Sequence, residues 1–203
     1  MLTLTLLTLG SAWAADAKLR DGEIGLRLEA PFTASPNVQD QSLGLGQSQL
    51  HFGFEGEFAG AVNQRLYLLG RVGSRRQYLA FEDADYEPDQ AFVESRSMRV
   101  LVGAQYSLLD APTFVVLSAS VGISSSYWVA RVGAGSGDRK GWGPAGTLGL
   151  GVDHFVNPRF AITGELRGWG ERQQAEQMSS GPYAFTSPSY RAGASLLVGI
   201  KFR

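Results

Sequence analysis

Charged residues spaced two positions apart are the most concrete chemical feature of this sequence. Arg27 and Glu29 have this spacing and opposite charges. Glu55 and Glu57 have the same spacing, and both are acidic. Residues two apart on an extended strand project from the same face. Charges gathered on a shielded face stay ionised only when they are paired and hydrogen-bonded, so the pattern predicts an ion-pair network. Its predicted members are Arg27, Glu29, Glu55, Glu57, Arg71, Arg75, Arg99, Glu165, Arg167, Arg191 and Lys201.

The two histidines, His51 and His154, are the other residues whose chemistry must be considered. A nucleophilic hydrolase or acyltransferase needs a histidine within hydrogen-bond reach of a serine and an orienting acid. Neither the segment H-F-G that begins at His51 nor the segment H-F-V that begins at His154 contains a serine. We therefore interpret both histidines as structural, and we predict no catalytic residue and no enzyme.

Two polar stretches have the composition of ion-binding loops. The acidic stretch 81–90 offers oxygen ligands to a divalent cation, but it lacks the glycine and the ligand spacing of an EF-hand loop. The glycine-rich, basic stretch 134–143 follows no strand-to-helix pattern, which argues against a nucleotide phosphate. We predict neither a metal nor a cofactor, and Arg139 and Lys140 remain as basic side chains for other phosphates.

Composition limits the remaining classes of function. The 203 residues suit one domain, and 18 basic residues against 19 acidic ones provide no positive field for nucleic acid. The absence of cysteine excludes thiolate metal sites and disulfides. An apolar stretch that ends in A-W-A at residues 12–14 predicts a signal peptide at 1–14 and a single domain at 15–203, with a first β-strand as the alternative.

Eight segments with period-two alternation must position the charged residues. These predicted strands are Glu23–Phe32, Gln49–Val62, Arg65–Tyr78, Phe92–Leu108, Phe114–Val129, Trp142–Phe155, Phe160–Glu171 and Tyr190–Phe202. Short turns and long polar connections alternate strictly between them. In an up-and-down antiparallel sheet, this order places the long loops at one end and the short turns, with both termini, at the other. The predicted long loops are Thr33–Ser48, Leu79–Ala91, Ala130–Gly141 and Arg172–Ser189.

Each predicted strand has one apolar face and one polar face. The charged residues share the polar face with many glycines, such as Gly53 and Gly149. A soluble lipocalin-like barrel would show the same alternation with its apolar face turned inward. Small residues on the polar face instead suit the narrow interior of an eight-stranded barrel, where they make room for charged side chains. The pattern therefore favours a barrel whose apolar face meets lipid.

Strand length and aromatic residues support the same interpretation. Twelve steps from Tyr190 to Phe202 make about 40 Å of strand, which spans roughly 30 Å along a barrel axis at a tilt of about 40°. That height matches the apolar core of a bilayer. Aromatic residues near the ends of the apolar stripes, such as Tyr106 and Phe160, fit interfacial girdles. The predicted fold is an all-β, eight-stranded antiparallel up-and-down transmembrane β-barrel.

The last strand carries a resemblance to a known family. The ending S-L-L-V-G-I-K-F-R, residues 195–203, resembles the closing strand of small Gram-negative outer-membrane β-barrels of the outer-membrane-protein-A and opacity type. The resemblance implies an outer-membrane location, short periplasmic turns, periplasmic termini and four long external loops. It also implies that barrel-insertion machinery recognises the outward residues of this strand. Those residues are Tyr190, Leu196, Val198, Ile200 and Phe202, and Arg203 after the aromatic residue departs from the family pattern.

The resemblance extends over the whole mature chain but does not specify an activity, because this scaffold carries many functions. We expect a non-enzymatic structural or surface-interaction protein whose loops meet a surface ligand, an envelope protein or lipopolysaccharide, the last through Arg139 or Lys140. The ion-pair network should plug the bore, with Arg27 facing carboxylates of the second strand and Arg191 meeting Glu165. A narrow channel for small solutes or ions is the alternative. A subunit of a larger envelope assembly, or a lipid-modifying enzyme, is the third interpretation.

Overall fold

Eight β-strands close into an antiparallel barrel in the computed structural model of the chain. The structure describes residues 22–31, 46–82, 91–108, 112–132, 135–173, 177–180, 183–186 and 190–203. The barrel strands are β1 (Glu23–Pro31), β2 (Gly46–Ala61), β3 (Leu66–Glu82), β4 (Ala91–Ser107), β5 (Thr113–Val132), β6 (Gly135–Asn157), β7 (Phe160–Arg172) and β10 (Tyr190–Phe202). A separate hairpin consists of β8 (Gln177–Ser180) and β9 (Tyr183–Thr186).

The barrel has the predicted up-and-down topology. Each barrel strand pairs with the next along the chain, and β10 closes the barrel by pairing with β1 from Ile24↔Phe202 to Pro31↔Ser195. Among the described residues there is no helix long and apolar enough to cross a membrane. The predicted fold class is confirmed. The predicted signal peptide at 1–14 lies outside the described residues.

The strands extend further toward the long-loop end than alternation indicates. β5 and β6 stay paired as far as Val132↔Gly135, so most of the stretch Ala130–Gly141 is strand rather than loop. The stretch Arg172–Ser189 likewise contains the β8–β9 hairpin. Backbone pairing does not need an apolar face, and alternation fades where both faces of a hairpin are polar. Most of the acidic stretch 81–90 lies outside the described residues.

Two turns at the opposite end, the short-turn end, are held by asparagine side chains. Asn63 Oδ1 accepts hydrogen bonds from the backbone N–H of Arg65 at 2.9 Å and of Leu66 at 2.8 Å. Asn157 Oδ1 accepts one from the N–H of Arg159 at 2.9 Å. Such side-chain bonds replace backbone turn bonds, which explains why short connections suffice here.

Exposure alternates along the strands as the predicted faces require. Outward apolar side chains are largely exposed, including Leu28 at 72%, Val121 at 67% and Leu148 at 70%. All the charged residues predicted for the network are instead buried, at 5% exposure or less. A continuous exposed apolar surface of this kind is unfavourable in water but is the surface that lipid solvates. We call it the apolar belt.

Apolar side chains fill the interior at the short-turn end. Phe114, Val116, Phe155 and Ala161 form one buried cluster there, in which the Phe114 and Phe155 rings meet edge to face at 5.5 Å. A second cluster consists of Ala59, Tyr67 and Leu69. These residues lie within a few positions of the short turns, so an apolar layer lies in the interior below its charged part.

Candidate functional site

A balanced set of buried charges occupies the middle of the barrel. It contains four basic side chains and four carboxylates, each of which has an ion pair within the set. Isolated charges in this interior would be strongly destabilised by the loss of water, and mutual pairing offsets that loss. We call this set the central cluster. Its members are Arg27, Arg71, Arg167 and Lys201 with Glu55, Glu57, Glu165 and Asp153.

Glu57 joins three strands within the central cluster. It accepts hydrogen bonds from Arg27 Nη2 and from Arg71 Nε, both at 2.8 Å. Lys201 Nζ lies 3.1 Å from the same carboxylate and 2.7 Å from Asp153 Oδ2. Each oxygen of Glu57 therefore has a cationic partner, and the carboxylate links β1, β3 and β10.

Arg167 crosses the interior from β7 to β2. Its Nη1 and Nη2 donate to the two oxygens of Glu55 at 2.6 and 3.0 Å, and its Nε donates to Glu165 Oε1 at 2.8 Å. Arg71 and Arg27 reach Glu165 from the other side. A bidentate guanidinium–carboxylate contact adds geometric specificity to the charge attraction. These bonds connect opposite walls of the barrel.

Gly149 makes room for this arrangement. A Cβ atom at this position would lie 2.0 Å from Glu165 Oε1 and 2.7 Å from Ser118 Oγ. Ser118 Oγ itself donates to Glu165 Oε1 at 2.9 Å. The absence of a side chain on Gly149 therefore lets Glu165 reach its partners, as the glycines on the polar face predicted.

A second set of buried charges lies above the first, toward the long-loop end. Glu29 sits between Arg75 and Arg99, with Arg99 Nη2 at 2.6 Å and Ser195 Oγ donating at 2.7 Å. The Arg75 guanidinium stacks over the ring of Trp169, 3.8 Å from its centroid. We call this set the distal cluster. Its charged members are Arg75, Arg99, Arg191, Glu29 and Glu171.

Arg191 completes the distal cluster. Its Nε lies 3.1 Å from Glu171 Oε1, and its Nη1 donates to Ser95 Oγ at 3.1 Å. The guanidinium also lies over the ring of Trp128, 5.1 Å from its centroid. Arg191 therefore pairs with Glu171, its register partner on β7, and the expectation that it meets Glu165 is wrong. The alignment of β10 with β7 decides this pairing.

The structure brings every residue of the predicted network into one of these two clusters, and it adds two carboxylates. Asp153 and Glu171 were not predicted, although both have the parity of the polar face. That parity was the available signal. Trp128 and Trp169 also face inward, where they contact arginines. Whether the clusters act as a plug stays a prediction.

A row of basic side chains faces outward just above the apolar belt. Arg76, Arg96 and Lys140 belong to it, and we call it the basic rim. Arg76 pairs in register with Arg96, Arg96 with Tyr127, and Tyr127 with Lys140, so the row crosses four adjacent strands. The carboxylate of Glu94 accepts from Arg76 Nε at 2.8 Å and also from Arg96. The side chains of Arg76 and Arg96 are 45% and 60% exposed.

Of the two residues predicted to contact phosphate, Lys140 has a described side chain, and that side chain lies at the basic rim. Lys140 is exposed, and its Nζ lies 5.7 Å from the centroid of the Tyr127 ring. Arg139 pairs with Trp128 through the backbone, and its side chain is outside the described part. Arg76 and Arg96 were not predicted to contact phosphate. Both residues lie near the long-loop ends of their predicted strands. There, an outward charged residue interrupts the row of outward apolar residues.

The outward stripe of β10 has the predicted composition. Tyr190, Leu196, Val198 and Phe202 are exposed, Ile200 is half-buried, and the Phe202 ring packs against Phe160 at 5.4 Å. Recognition of this stripe by insertion machinery stays a prediction.

Arg203, which the family pattern did not explain, has partners at the short-turn end. Its Nη2 lies 3.5 Å from Glu23 Oε1, and its guanidinium lies 4.8 Å from the centroid of the Phe155 ring. It therefore packs against the Phe155 ring of the apolar layer at this end.

No constellation for catalysis or metal binding occurs among the described residues. His154 Nδ1 lies 2.9 Å from Thr113 Oγ1 on the outward side of the short-turn end. The side chain of His51 is not among those described. Within the described ranges, no group of three or more His, Asp or Glu side chains could hold a metal ion.

Comparisons with known proteins agree with this architecture. No protein-family model matches the sequence, and a search of curated proteins finds no significant match. Among solved structures, the attachment invasion locus protein Ail of Yersinia pestis matches with a TM-score of 0.55 at 13% identity, over 90% of this chain and 98% of Ail. The same protein bound to the heparin analogue sucrose octasulfate matches at 0.51, with the same identity and coverage. The outer membrane protein OprG of Pseudomonas aeruginosa matches at 0.52 and 10% identity, over 92% of this chain and 97% of OprG. The chain therefore has the fold of the small eight-stranded outer-membrane β-barrels.

Proposed function

We propose that the protein is a non-enzymatic integral outer-membrane β-barrel that acts at its long-loop end as a surface-interaction or structural protein. The observation that supports the proposal is the set of ion pairs that cross the interior in the central cluster, with the apolar layer beneath them. An eight-stranded barrel has a bore only as wide as its own side chains, and here those side chains bind one another across it. The accessible polar surface is then at the two ends. The apolar belt supports a location in the lipid bilayer.

The orientation that we propose places the long-loop end outside the cell and both termini in the periplasm. In that orientation the basic rim lies at the upper edge of the apolar belt, the level of the phosphate groups of the outer leaflet. Guanidinium and ammonium groups bind phosphate and sulfate through charge-assisted hydrogen bonds. Glu94 holds Arg76 and Arg96 on adjacent strands with their guanidiniums exposed. We therefore propose lipopolysaccharide phosphates as the ligand of the basic rim. The complex of Ail with a sulfated heparin analogue supports anionic ligands on this fold.

A binding experiment with lipopolysaccharide tests the surface role. The double variant Arg76→Gln/Lys140→Gln should bind lipopolysaccharide-containing vesicles several-fold more weakly than the wild type, and added salt should narrow the difference. The matched control is Arg65→Gln/Arg159→Gln, which removes two exposed charges at the short-turn end. Equal binding by the two double variants would overturn the proposed role of the rim.

A planar-bilayer recording tests the plug independently of the surface role. The wild type should show no stable conductance, because the central cluster and the apolar layer obstruct the bore. A stable conductance that changes when Arg71 or Glu55 is neutralised would contradict the plug and favour a narrow channel. Assay of lipid A acylation with the wild type and His154→Ala tests the enzyme alternative, and we expect no difference.

A further inference from the structure

The two charge clusters differ in how completely their hydrogen-bond donors are used. In the central cluster, all three nitrogens of Arg71 and all three of Arg167 donate to described acceptors, and Arg27 leaves only its Nε without one. In the distal cluster, Arg75 and Arg99 each use Nη2 for Glu29, and their Nε and Nη1 atoms have no hydrogen-bond partner among the described residues. Both residues are at least 98% buried. Four buried guanidinium nitrogens therefore lack an acceptor within the part of the chain that the structure describes.

Near the distal cluster, the described groups without a hydrogen-bond partner include two further donors and both carboxylate oxygens of Glu171, which are acceptors. The indole N–H of Trp169 and the side-chain amide nitrogen of Gln77 are buried and have no hydrogen-bond partner. Trp169 is the residue on which Arg75 stacks, and Gln77 follows Arg75 on the same face of β3. A buried donor without an acceptor is costly, because it has lost its water. An acceptor within reach of these groups would remove that cost.

The charge balance points to the same kind of partner. Arg75, Arg99 and Arg191 face only two carboxylates, Glu29 and Glu171, among the described side chains of the cluster. Arg99 interacts electrostatically with both other arginines. One positive charge is left over in a narrow interior, where electrostatic interactions are stronger than in water. Water can accept the unused N–H bonds but cannot neutralise this charge, whereas an anion does both.

We propose that the distal cluster binds a small inorganic anion of the size of chloride, held chiefly by Arg75 and Arg99. The small size follows from the eight-stranded interior, where Glu29 already lies between the two guanidiniums. The anion enters from the long-loop end, because the central cluster and the apolar layer close the path from the short-turn end. The stack of Arg75 on Trp169 fixes one of the two guanidiniums in advance. The site is independent of the surface role proposed above.

Halide titration of the purified, folded protein tests the site. With ionic strength held constant by sodium gluconate, whose anion is too large for the interior, bromide should raise the thermal midpoint of the wild type along a saturable curve. Arg99→Gln should weaken the apparent affinity for bromide by about tenfold or more, the effect expected when a charged hydrogen-bond donor is lost. Arg65→Gln removes an exposed arginine at the short-turn end, outside the basic rim and both clusters, and should leave the bromide curve unchanged. The same bromide dependence in the wild type and Arg99→Gln, or none in the wild type, would overturn the proposal.

If Arg99→Gln does not fold, a diffraction measurement on the wild type tests the anion site without the variant. Crystals grown in sodium bromide should show an anomalous peak beside the Nη1 atoms of Arg75 and Arg99. A peak only at surface lysines or at the basic rim would contradict the assignment to the distal cluster. So would crystals without any anomalous peak in the interior.

Discussion

The central and distal clusters use the same residue types within one barrel, yet they reach different charge balances. The central cluster pairs four basic groups with four carboxylates, and its guanidiniums bridge opposite walls. The distal cluster sets three arginines against two carboxylates and leaves several donors unused. A balanced network in which most polar atoms are hydrogen-bonded stabilises one arrangement of the strands. An unbalanced one retains binding capacity, so similar composition does not imply a similar role.

The largest effect should follow from breaking the balance of the central cluster. Glu57→Gln removes the charge that Arg27, Arg71 and Lys201 share. Loss of one partner leaves buried charges uncompensated, so the free energy of unfolding should fall by about 3–5 kcal/mol. Equilibrium urea unfolding of the protein in phospholipid vesicles measures the change.

The matched control for this prediction is Glu94→Gln, which removes a carboxylate that also binds two arginines, but arginines whose side chains are exposed. Its cost should stay under about 1 kcal/mol, because the two arginines can be solvated by water once the carboxylate charge is lost. Similar losses in the two variants would show that burial does not set the difference.

An intermediate effect should follow from removing the aromatic support of the distal cluster. Trp169→Leu eliminates the ring under Arg75 and should lower the free energy of unfolding by about 2 kcal/mol more than Trp169→Phe, which keeps an aromatic face. The indole N–H of Trp169 has no hydrogen-bond partner among the described residues, so the substitution Trp169→Phe does not remove a hydrogen bond. Thermal or urea unfolding of the two variants gives the difference. Equal free energies of unfolding for the two variants would mean that the stacking contact with Arg75 does not stabilise the protein.

The smallest effect should come from lowering the positive charge of the distal cluster. Arg99→Gln removes the surplus charge, while Glu29 keeps Arg75 and Ser195 as partners. The change in the free energy of unfolding should stay within about 1 kcal/mol, because reduced repulsion offsets the lost hydrogen bond. Urea unfolding in gluconate avoids any contribution from a bound halide. A loss as large as that of Glu57→Gln would remove the distinction between the clusters.

Some of the ion pairs could be predicted from the sequence because they join neighbouring strands. Arg27 and Arg71 lie on the two strands that flank Glu57, and both bind it. The contact of Arg167 with Glu55 could not be predicted in this way, since two other strands lie between β7 and β2. Such a pair depends on the stagger and diameter of the closed barrel. The partners of Arg203 could not be predicted either, because only closure of the barrel brings Phe155 and Glu23 beside it.

The residue pattern by itself determined the strands, their two faces and the side on which the charges lie. Alternation with a period of two is a local property that each strand expresses alone, as Tyr190–Phe202 does with the predicted bounds. Tertiary structure decided which charges meet, how far the hairpins extend and where, among the described side chains, arginines outnumber carboxylates. These features depend on register and closure, which bring together residues far apart in the chain, such as Arg99 and Glu29. The division between a balanced centre and a donor-rich distal end therefore arises only when the eight strands close.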